Sequence, residues 1–367
     1  MARRPASNQP VLLADSGAPS NPMKGKDMNQ SFKTAEFVSP KHPDKLCDRI
    51  ADAILDAHLA ADSNARTAIE VMGGHGRVYI TGEITSQAVI DIAPIVERIA
   101  GPGLEIIENI AVQSPEIAAG VDAGGAGDQG VMIGYATSET PELLPLEFVL
   151  ARDLNRYLYE RWPYDGKTQI TVCGEEIAAI VASFQHAPHG ELEQAVKQWA
   201  KIQKFVSACF VKYRNSNPEL HINPAGDWRL GGFDADAGLT GRKLIVDNYG
   251  PRIPIGGGAY SGKDPSKVDR SAAYMARKIA VDYVRRFQAD EVLVRLAYAI
   301  GYDRPVEVTA MVDGEKKSIE GYDLSPNGII RHLALKRPIY EDLATNGTMD
   351  ERSWPGASTL YLACPRY

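Results

Sequence analysis

The spacing of apolar residues predicts a helix that begins at His42-Pro43-Asp44. Proline suits the first position of a helix, and an aspartate nearby suits the positive end of the helix dipole. Apolar side chains then recur every three or four residues, which is typical of one buried helix face. These positions are Leu46, Ile50, Ile54, Ala57 and Ala61.

A hairpin of two strands is predicted next, at residues 67–72 and 77–84, joined by the glycine-rich residues 73–76. Apolar and polar residues alternate along the second strand, so one face of the hairpin should be buried. A second helix is predicted from about Asp91 to Ala100. Together these elements form a helix-covered antiparallel sheet.

Comparable groups of strands and helices follow along the chain. Further strands are predicted at residues 131–136, 169–172, 177–184, 242–248, 292–300 and 305–312, and helices at residues 191–210 and from Asp264 onward. Because antiparallel groups of strands alternate with helices, the predicted fold class is α+β, with several units.

Length and charge restrict the classes of protein that the chain can belong to. At 367 residues, two or three domains are expected. The longest apolar runs, such as residues 177–184, fall far short of the ~20 residues that span a bilayer, so we expect no membrane partner. A net charge of −7 argues against nucleic-acid binding. Local lysines can still hold a small anion.

Cysteines and the first residues bear on the cellular setting. Cys47, Cys173, Cys209 and Cys364 are dispersed and contain no CxxC pair, so neither a disulfide scaffold nor a zinc site is predicted. We expect reduced thiols and a cytoplasmic location. Residues 1–30 are rich in Ser, Asn, Pro and Gly, and we expect a disordered leader there.

Two glycine-rich segments resemble nucleotide motifs by letter only. Residues 125–130 match GxGxxG, but they lead into a predicted strand, whereas a dinucleotide fingerprint opens a helix. A flexible loop is the better interpretation. Residues 257–263 match GxxxxGK, but Asp264 stands where a P-loop needs a hydroxyl for magnesium. Both segments nevertheless offer backbone N–H groups to an anion.

Cations at the starts of the predicted helices admit two explanations. Lys45, Lys267 and Arg270 lie where they oppose the helix dipole. Neighbouring aspartates could neutralise them, or a bound polyanion could require them. We favour the polyanion, because carboxylates and lysines alternate beside glycines in several segments, as a metal–triphosphate complex needs.

Together these segments resemble the S-adenosylmethionine synthetase (methionine adenosyltransferase) family over roughly residues 35–342. The matching segments are His42-Pro43-Asp44-Lys45, Gly82-Glu83-Ile84-Thr85, Gln113-Ser114-Pro115, residues 125–130, Gly238-Leu239-Thr240-Gly241-Arg242-Lys243 and residues 256–270. The last two, in this order, are highly specific.

The resemblance implies three similarly folded α+β domains in a pseudo-threefold arrangement, each a mostly antiparallel sheet covered by helices. We place them at residues 31–113, 126–231 and 232–367. It also implies a homodimer or homotetramer with active sites at the subunit interface. The implied reaction is attack of the methionine sulfur on C5′ of ATP, followed by hydrolysis of the triphosphate to phosphate and pyrophosphate. Mg²⁺, two per site, and K⁺ are the implied cofactors.

The resemblance also implies a role for each matching residue. The implied catalytic residues are His42, Lys167, Arg242 and Lys263. The implied ATP contacts are His42, Asp165, Lys167, Trp228, Asp236, Arg242, Lys243, Ala259 and Lys263. The implied methionine contacts are Glu83, Gln113, Asp128, Asp236 and Lys267. Asp44 and Asp269 would bind Mg²⁺, and Glu70 would bind K⁺.

Several of these residues also have simpler interpretations. His42 could only cap a helix, Glu70 could be a solvent-facing strand residue, and Trp228 could belong to the core. Trp228 stands where the family usually has Phe, and either ring could stack on adenine. The chain also departs from the family pattern at Pro40-Lys41, where the family has Glu-Gly, and its loop from Gln113 to Asp128 is shorter.

Two other functions compete with the synthetase. A phosphohydrolase would cleave nucleotide polyphosphates without transfer to methionine. A non-catalytic partner subunit would keep the fold but not the triphosphate residues, which are intact here at Asp44, Lys167, Arg242, Lys263 and Asp269. A metal pair at His186 and His189 is disfavoured, because Pro188 interrupts a helical arrangement.

Overall fold

Strands from distant parts of the chain combine into three four-stranded sheets in this computed structural model. The structure describes residues 31–114, 124–174, 176–210, 217–349 and 355–356. The predicted leader at residues 1–30 and Cys364 lie outside the described residues.

The elements follow one another closely along the chain. The strands are β1 (Phe32–Val38), β2 (Arg66–Gly74), β3 (Arg77–Thr85), β4 (Glu105–Ala111), β5 (Gly130–Thr137), β6 (Gly166–Cys173), β7 (Glu176–Phe184), β8 (Glu219–Ile222), β9 (Gly238–Leu239), β10 (Glu291–Tyr298), β11 (Glu307–Val312) and β12 (Glu315–Lys317). The helices are α1 (Pro43–Ala61), α2 (Ala93–Ala100), α3 (Leu146–Arg161), α4 (His189–Phe210), α5 (Leu244–Asp247), α6 (Val268–Phe287), α7 (Pro326–His332) and α8 (Tyr340–Asn346).

Each sheet is built around an antiparallel hairpin. The strand orders are β4-β3-β2-β9, β1-β6-β7-β8 and β12-β11-β10-β5. Among the described strands, only β3–β4 and β7–β8 pair in parallel. A helix connects the two strands of each parallel pair, as this geometry requires. The prediction of three similar α+β domains with mostly antiparallel sheets is confirmed.

Every sheet also takes one edge strand from another part of the chain. The first part of the chain contributes β1 to the second sheet, the second part contributes β5 to the third, and the third part contributes β9 to the first. The exchange runs in a closed cycle, in keeping with a pseudo-threefold arrangement. It ties each unit to the next through backbone hydrogen bonds.

Two hydrophobic cores lie between the sheets and their helices. The smaller core packs α1 and α2 against β2 and β3, through side chains such as Ile50, Val71 and Val96. The larger core joins the second and third sheets to α3, α4 and α6. None of the helices that the structure describes is long and apolar enough to cross a membrane. Among the described residues, Cys47 and Cys173 are buried and form no disulfide.

Two predicted elements differ from the structure because of contacts that are distant in sequence. Residues 242–248, predicted as a strand, contain the short helix α5, and a buried ion pair between Asp247 and Lys45 holds its end. The helix predicted to begin at Asp264 begins at Val268. Asp264 instead bonds to Thr67: its N–H donates to the Thr67 carbonyl at 3.1 Å, and its Oδ1 accepts from the Thr67 N–H at 3.0 Å.

The crossing of β5 and α6 generates a stability prediction. A Cβ atom at Gly134 would lie 2.0 Å from the backbone carbon of Ala276. We therefore expect Gly134→Ala to separate α6 from the sheet and to lower the free energy of unfolding by about 3 kcal/mol. Urea unfolding measures this. Gly190→Ala is the control, because a Cβ there has no neighbour within 4 Å. Equal effects of the two substitutions would contradict this packing.

Candidate active site

His42 is the N-cap of α1 and therefore does cap this helix. Its Nδ1 accepts a hydrogen bond from the Asp44 N–H at 3.2 Å, and the residue is 5% exposed. Burial, with Lys243 and Lys167 close by, lowers the pKa of His42 to about 3. The imidazole is therefore neutral at physiological pH, with Nδ1 as an acceptor. Capping leaves Nε2 available for a ligand.

The Asp44 carboxylate lies close to two cationic side chains at the start of α1. Its Oδ2 lies 2.6 Å from Lys243 Nζ, and its Oδ1 lies 3.4 Å from Arg242 Nε and accepts from the Leu239 N–H at 3.0 Å. Burial alone would raise the pKa of Asp44, but the bonds from Lys243 and Leu239 outweigh it and keep the pKa below its ordinary value. Asp44 is thus a charged carboxylate.

Four more predicted residues surround this point, and we call the whole group the α1 cluster. The Asp165 carboxylate accepts a hydrogen bond from the Gly232 N–H at 3.0 Å. Burial raises the pKa of Asp165; Lys167 acts to lower this pKa and Asp236 acts to raise it. Trp228 is half-buried and belongs to neither hydrophobic core, which argues against its core interpretation. The α1 cluster comprises His42, Asp44, Asp165, Lys167, Trp228, Asp236, Arg242 and Lys243.

A second group, the glycine-loop cluster, is formed by Glu70, Lys263 and Asp269 with Gly257 and Gly258. Lys263 Nζ lies 2.7 Å from Asp269 Oδ2, and the Gly258 N–H donates to Asp269 Oδ1 at 3.1 Å. A Cβ at Gly258 would lie 2.9 Å from Asp269 Oδ2, so this close approach requires glycine. Glu70 is an exposed residue of β2, as its simpler interpretation predicted, and desolvation by neighbouring protein atoms raises its pKa, with Lys263 opposing.

The predicted methionine residues are more dispersed. Glu83 pairs across the sheet with Ala68, which also bridges to Lys263. Gln113 is buried, and its Oε1 has no hydrogen-bond partner among the described residues. Asp128 is exposed, and its Oδ1 accepts from the Gln129 N–H.

The other two predicted contacts have protein partners. Lys267 pairs with Asp264. Ala259 lies against Gly241, where a Cβ would approach within 2.5 Å of the Ala259 Cβ. Each of these two residues flanks one cluster, since Gly241 precedes Arg242 and Ala259 follows Gly258.

The described residues offer few side chains that could bind the Mg²⁺ implied by the family resemblance. Within the part of the chain that the structure describes, no group of three or more His, Cys, Asp or Glu residues could hold a metal ion. Mg²⁺ is typically held by only one or two carboxylates and completes its shell with water and substrate phosphates. Asp44 and Asp269, each beside a lysine, fit such an ion.

The structure also shows a series of aspartates on α1, of which only Asp44 belongs to the predicted site. Asp44, Asp48, Asp52 and Asp56, which we call the aspartate series, recur every four residues on one face of α1. Each accepts a backbone N–H from the C-terminal part of the chain. The donors are Leu239, Gly241 and Gly262, and, at Asp56, Tyr340 and Glu341. The regular spacing was visible in the sequence, but its partners were not.

Two of the cations predicted for a polyanion are instead buried against this series. Lys45 Nζ lies 2.8 Å from Asp247 and 3.0 Å from Asp48. Burial would lower the pKa of Lys45, but the two carboxylates raise it above its ordinary value. Arg270 binds both oxygens of Asp52, at 2.8 and 2.6 Å. For Lys45 and Arg270, neutralisation by aspartates is the correct explanation.

The low pKa of His42 predicts a pH dependence of stability. Because the folded state holds this imidazole neutral, its contribution is complete above pH 6.5 and is lost as the pH falls towards 3. We expect His42→Asn, which can still cap α1, to reduce the slope of unfolding free energy between pH 6.5 and 4 by up to about 1.4 kcal/mol per unit. Urea unfolding across this range measures the slope.

The control for this measurement is His75→Asn. His75 is exposed in the β2–β3 turn at a φ of 51°, a conformation that asparagine tolerates. It should leave the slope unchanged, and a wild-type slope in His42→Asn would contradict the assignment.

Both family models and individual proteins are similar to this chain. Family models described as the N-terminal, central and C-terminal domains of S-adenosylmethionine synthetase match residues 30–115, 123–228 and 230–356. An S-adenosylmethionine synthase from Fusobacterium nucleatum is 44% identical over 358 residues, covering 86% of this chain and 92% of that protein.

Two further relatives agree. The synthase from Clostridium tetani is 42% identical, covering 86% of this chain and 93% of that protein. The synthase from Thermus thermophilus is 41% identical, covering 89% and 95%. With all three domain models matched in order and relatives aligned over most of its length, the chain belongs to the S-adenosylmethionine synthetase family.

Proposed function

We propose that the chain makes S-adenosyl-L-methionine from ATP and L-methionine. The methionine sulfur attacks C5′ of ATP, and the released triphosphate is hydrolysed to phosphate and pyrophosphate. The observation that carries this proposal is the pair of carboxylate–lysine contacts, Asp44–Lys243 and Asp269–Lys263, each beside a glycine-containing loop. Family membership supports the same reaction.

The chemistry matches what these residues can do. A thioether is a nucleophile without deprotonation, so the reaction needs alignment of sulfur with C5′ and stabilisation of the leaving triphosphate. Mg²⁺, when bound at Asp44 and Asp269, would neutralise phosphate oxygens. Arg242, Lys243 and Lys263 would then donate to the phosphates. Each such contact gives about 1 kcal/mol in water and about 4 kcal/mol at an effective dielectric near 20.

The remaining residues have proposed roles around this centre. Neutral His42 and exposed Lys167 would lie at the triphosphate, while Asp165, Trp228 and Ala259 would contact the nucleoside. Glu70 would hold K⁺. The methionine residues would be Glu83, Gln113, Asp128, Asp236 and Lys267. The Oε1 of Gln113, which has no hydrogen-bond partner among the residues that the structure describes, supports a ligand there.

We propose a homodimer or homotetramer in which the α1 cluster of one subunit faces the glycine-loop cluster of another. Support comes from the division of the candidate residues into two clusters, each with its own carboxylate and lysine. A cytoplasmic location also remains a prediction.

A substrate-omission assay separates the synthetase from a phosphohydrolase. With ATP, methionine, Mg²⁺ and K⁺, we expect the sulfonium product by mass spectrometry, together with phosphate and pyrophosphate. Phosphate release at the same rate without methionine, and no sulfonium product with it, would favour the phosphohydrolase.

Lys263 provides a test of the triphosphate contact. We expect Lys263→Ala to lower kcat by about 100-fold, the effect of removing one preorganised charge-stabilising donor. Its melting temperature should change little, because the side chain is partly exposed. Lys197→Ala is the matched control, since it removes a lysine that pairs with Glu193 on the surface. A normal kcat in folded Lys263→Ala would contradict the role.

Asp269 provides a test of metal binding. We expect Asp269→Asn to abolish the Mg²⁺ dependence of inorganic triphosphate binding, measured by calorimetry at increasing Mg²⁺. Asp282→Asn, on the same helix and paired with Lys278, is the control. An unchanged magnesium titration in Asp269→Asn would count against the assignment.

A further inference from the structure

Asp48 and Asp52 lie outside the candidate site, yet each forms a hydrogen bond to a loop that carries cationic residues of that site. Both residues are 0% exposed. Asp48 Oδ1 accepts from the Gly241 N–H at 2.8 Å, and Asp52 Oδ1 accepts from the Gly262 N–H at 2.8 Å. Both carboxylates lie on the inward face of the second and third turns of a 19-residue helix, which is a rigid support.

The bonded glycines immediately precede the proposed triphosphate ligands. Gly241 is followed by Arg242 and Lys243, and Gly262 is followed by Lys263. A hydrogen bond at the preceding N–H fixes the backbone from which each cationic side chain projects. The loops have little regular structure of their own, so their positions depend on such anchors.

Arg270 strengthens the second anchor. Its guanidinium pairs with both oxygens of Asp52 and also donates to the Lys263 carbonyl at 2.8 Å. Its face stacks on the Tyr340 ring at 4.3 Å. Asp52 and Arg270 therefore hold the backbone on both sides of the Gly262–Lys263 peptide.

We propose that Asp48 and Asp52 are positioning residues for triphosphate binding: Asp48 fixes the loop that carries Arg242 and Lys243, and Asp52 fixes the loop that carries Lys263. The inference rests on the proposed function. The contact between Gly241 and Ala259 keeps the loops side by side.

The test compares alanine substitutions along the aspartate series. The probe is inorganic triphosphate with Mg²⁺, its affinity is measured by calorimetry, and kcat and KM are measured separately. We expect Asp48→Ala and Asp52→Ala each to weaken triphosphate binding at least tenfold and to lower kcat at least tenfold. KM for methionine should stay within about threefold.

Asp56→Ala is the matched control. Asp56 belongs to the same helix face and also accepts backbone N–H groups, but from Tyr340 and Glu341. We expect it to lower the melting temperature while leaving triphosphate affinity within twofold. Asp48→Asn keeps an oxygen that can accept from Gly241, and it should recover most of the affinity lost in Asp48→Ala.

Triphosphate affinity equal to wild type in folded Asp48→Ala and Asp52→Ala would overturn the proposal. If the alanine variants do not fold, the asparagine variants decide. Asp52→Asn keeps an acceptor for the Gly262 N–H but loses the ion pair with Arg270. Weaker triphosphate binding by Asp52→Asn than by Asp56→Asn therefore supports positioning, and equal binding overturns it. A wild-type chain that does not bind Mg²⁺–triphosphate would overturn the proposed function, and this inference with it.

Discussion

The structure depends on the hydrogen bonds between the aspartate series of α1 and backbone N–H groups from the C-terminal part of the chain. A buried carboxylate is costly unless it is paired and hydrogen-bonded, and an irregular loop must find acceptors for its buried N–H groups. Here the aspartates accept hydrogen bonds from the N–H groups of the loops, so both requirements are met by the same bonds. The donors at Leu239, Gly241 and Gly262 are anchored by aspartates that lie 193 to 210 residues earlier in the chain. The N-terminal unit thereby shapes loops that belong to the third unit.

This arrangement also explains how a chain with net charge −7 can present cations to an anion. Lys45 and Arg270 form ion pairs with buried carboxylates. Arg242, in contrast, is half-exposed beside Asp44. At the far end of the series, burial raises the pKa of Asp56 to about 6, although the N–H groups of Glu341 and Tyr340 oppose the shift. Burial likewise raises the pKa of Asp48 to about 6, with Lys45 opposing, whereas the pKa of Asp44 lies below its ordinary value.

Local patterns predicted the elements whose stability is local. The helix α1 and the β2–β3 hairpin have regular apolar spacing and glycine turns, and the structure contains both. The apolar run in residues 242–248 suggested a strand, but the pairing of Asp247 with Lys45 depends on a contact that no local pattern contains. The exchange of edge strands among the sheets depends on similar long-range contacts.

The sequence predicted the residues of the candidate site but not the contacts that support them. Resemblance to the family named the residues, and the structure brings Asp44 together with Lys243, and Asp269 together with Lys263. The roles of these residues remain predictions. The supporting contacts of Asp48 and Asp52 could not be predicted, because an aspartate every four residues is equally typical of a solvated helix face.

Amide hydrogen exchange at the donors of the aspartate series tests this central claim most directly. The amides are those of Leu239, Gly241, Gly262, Tyr340 and Glu341. If the series anchors these loops, these amides should exchange as slowly as the buried core of α1. Exchange at the rate of exposed loop amides, while α1 itself stays protected, would contradict it.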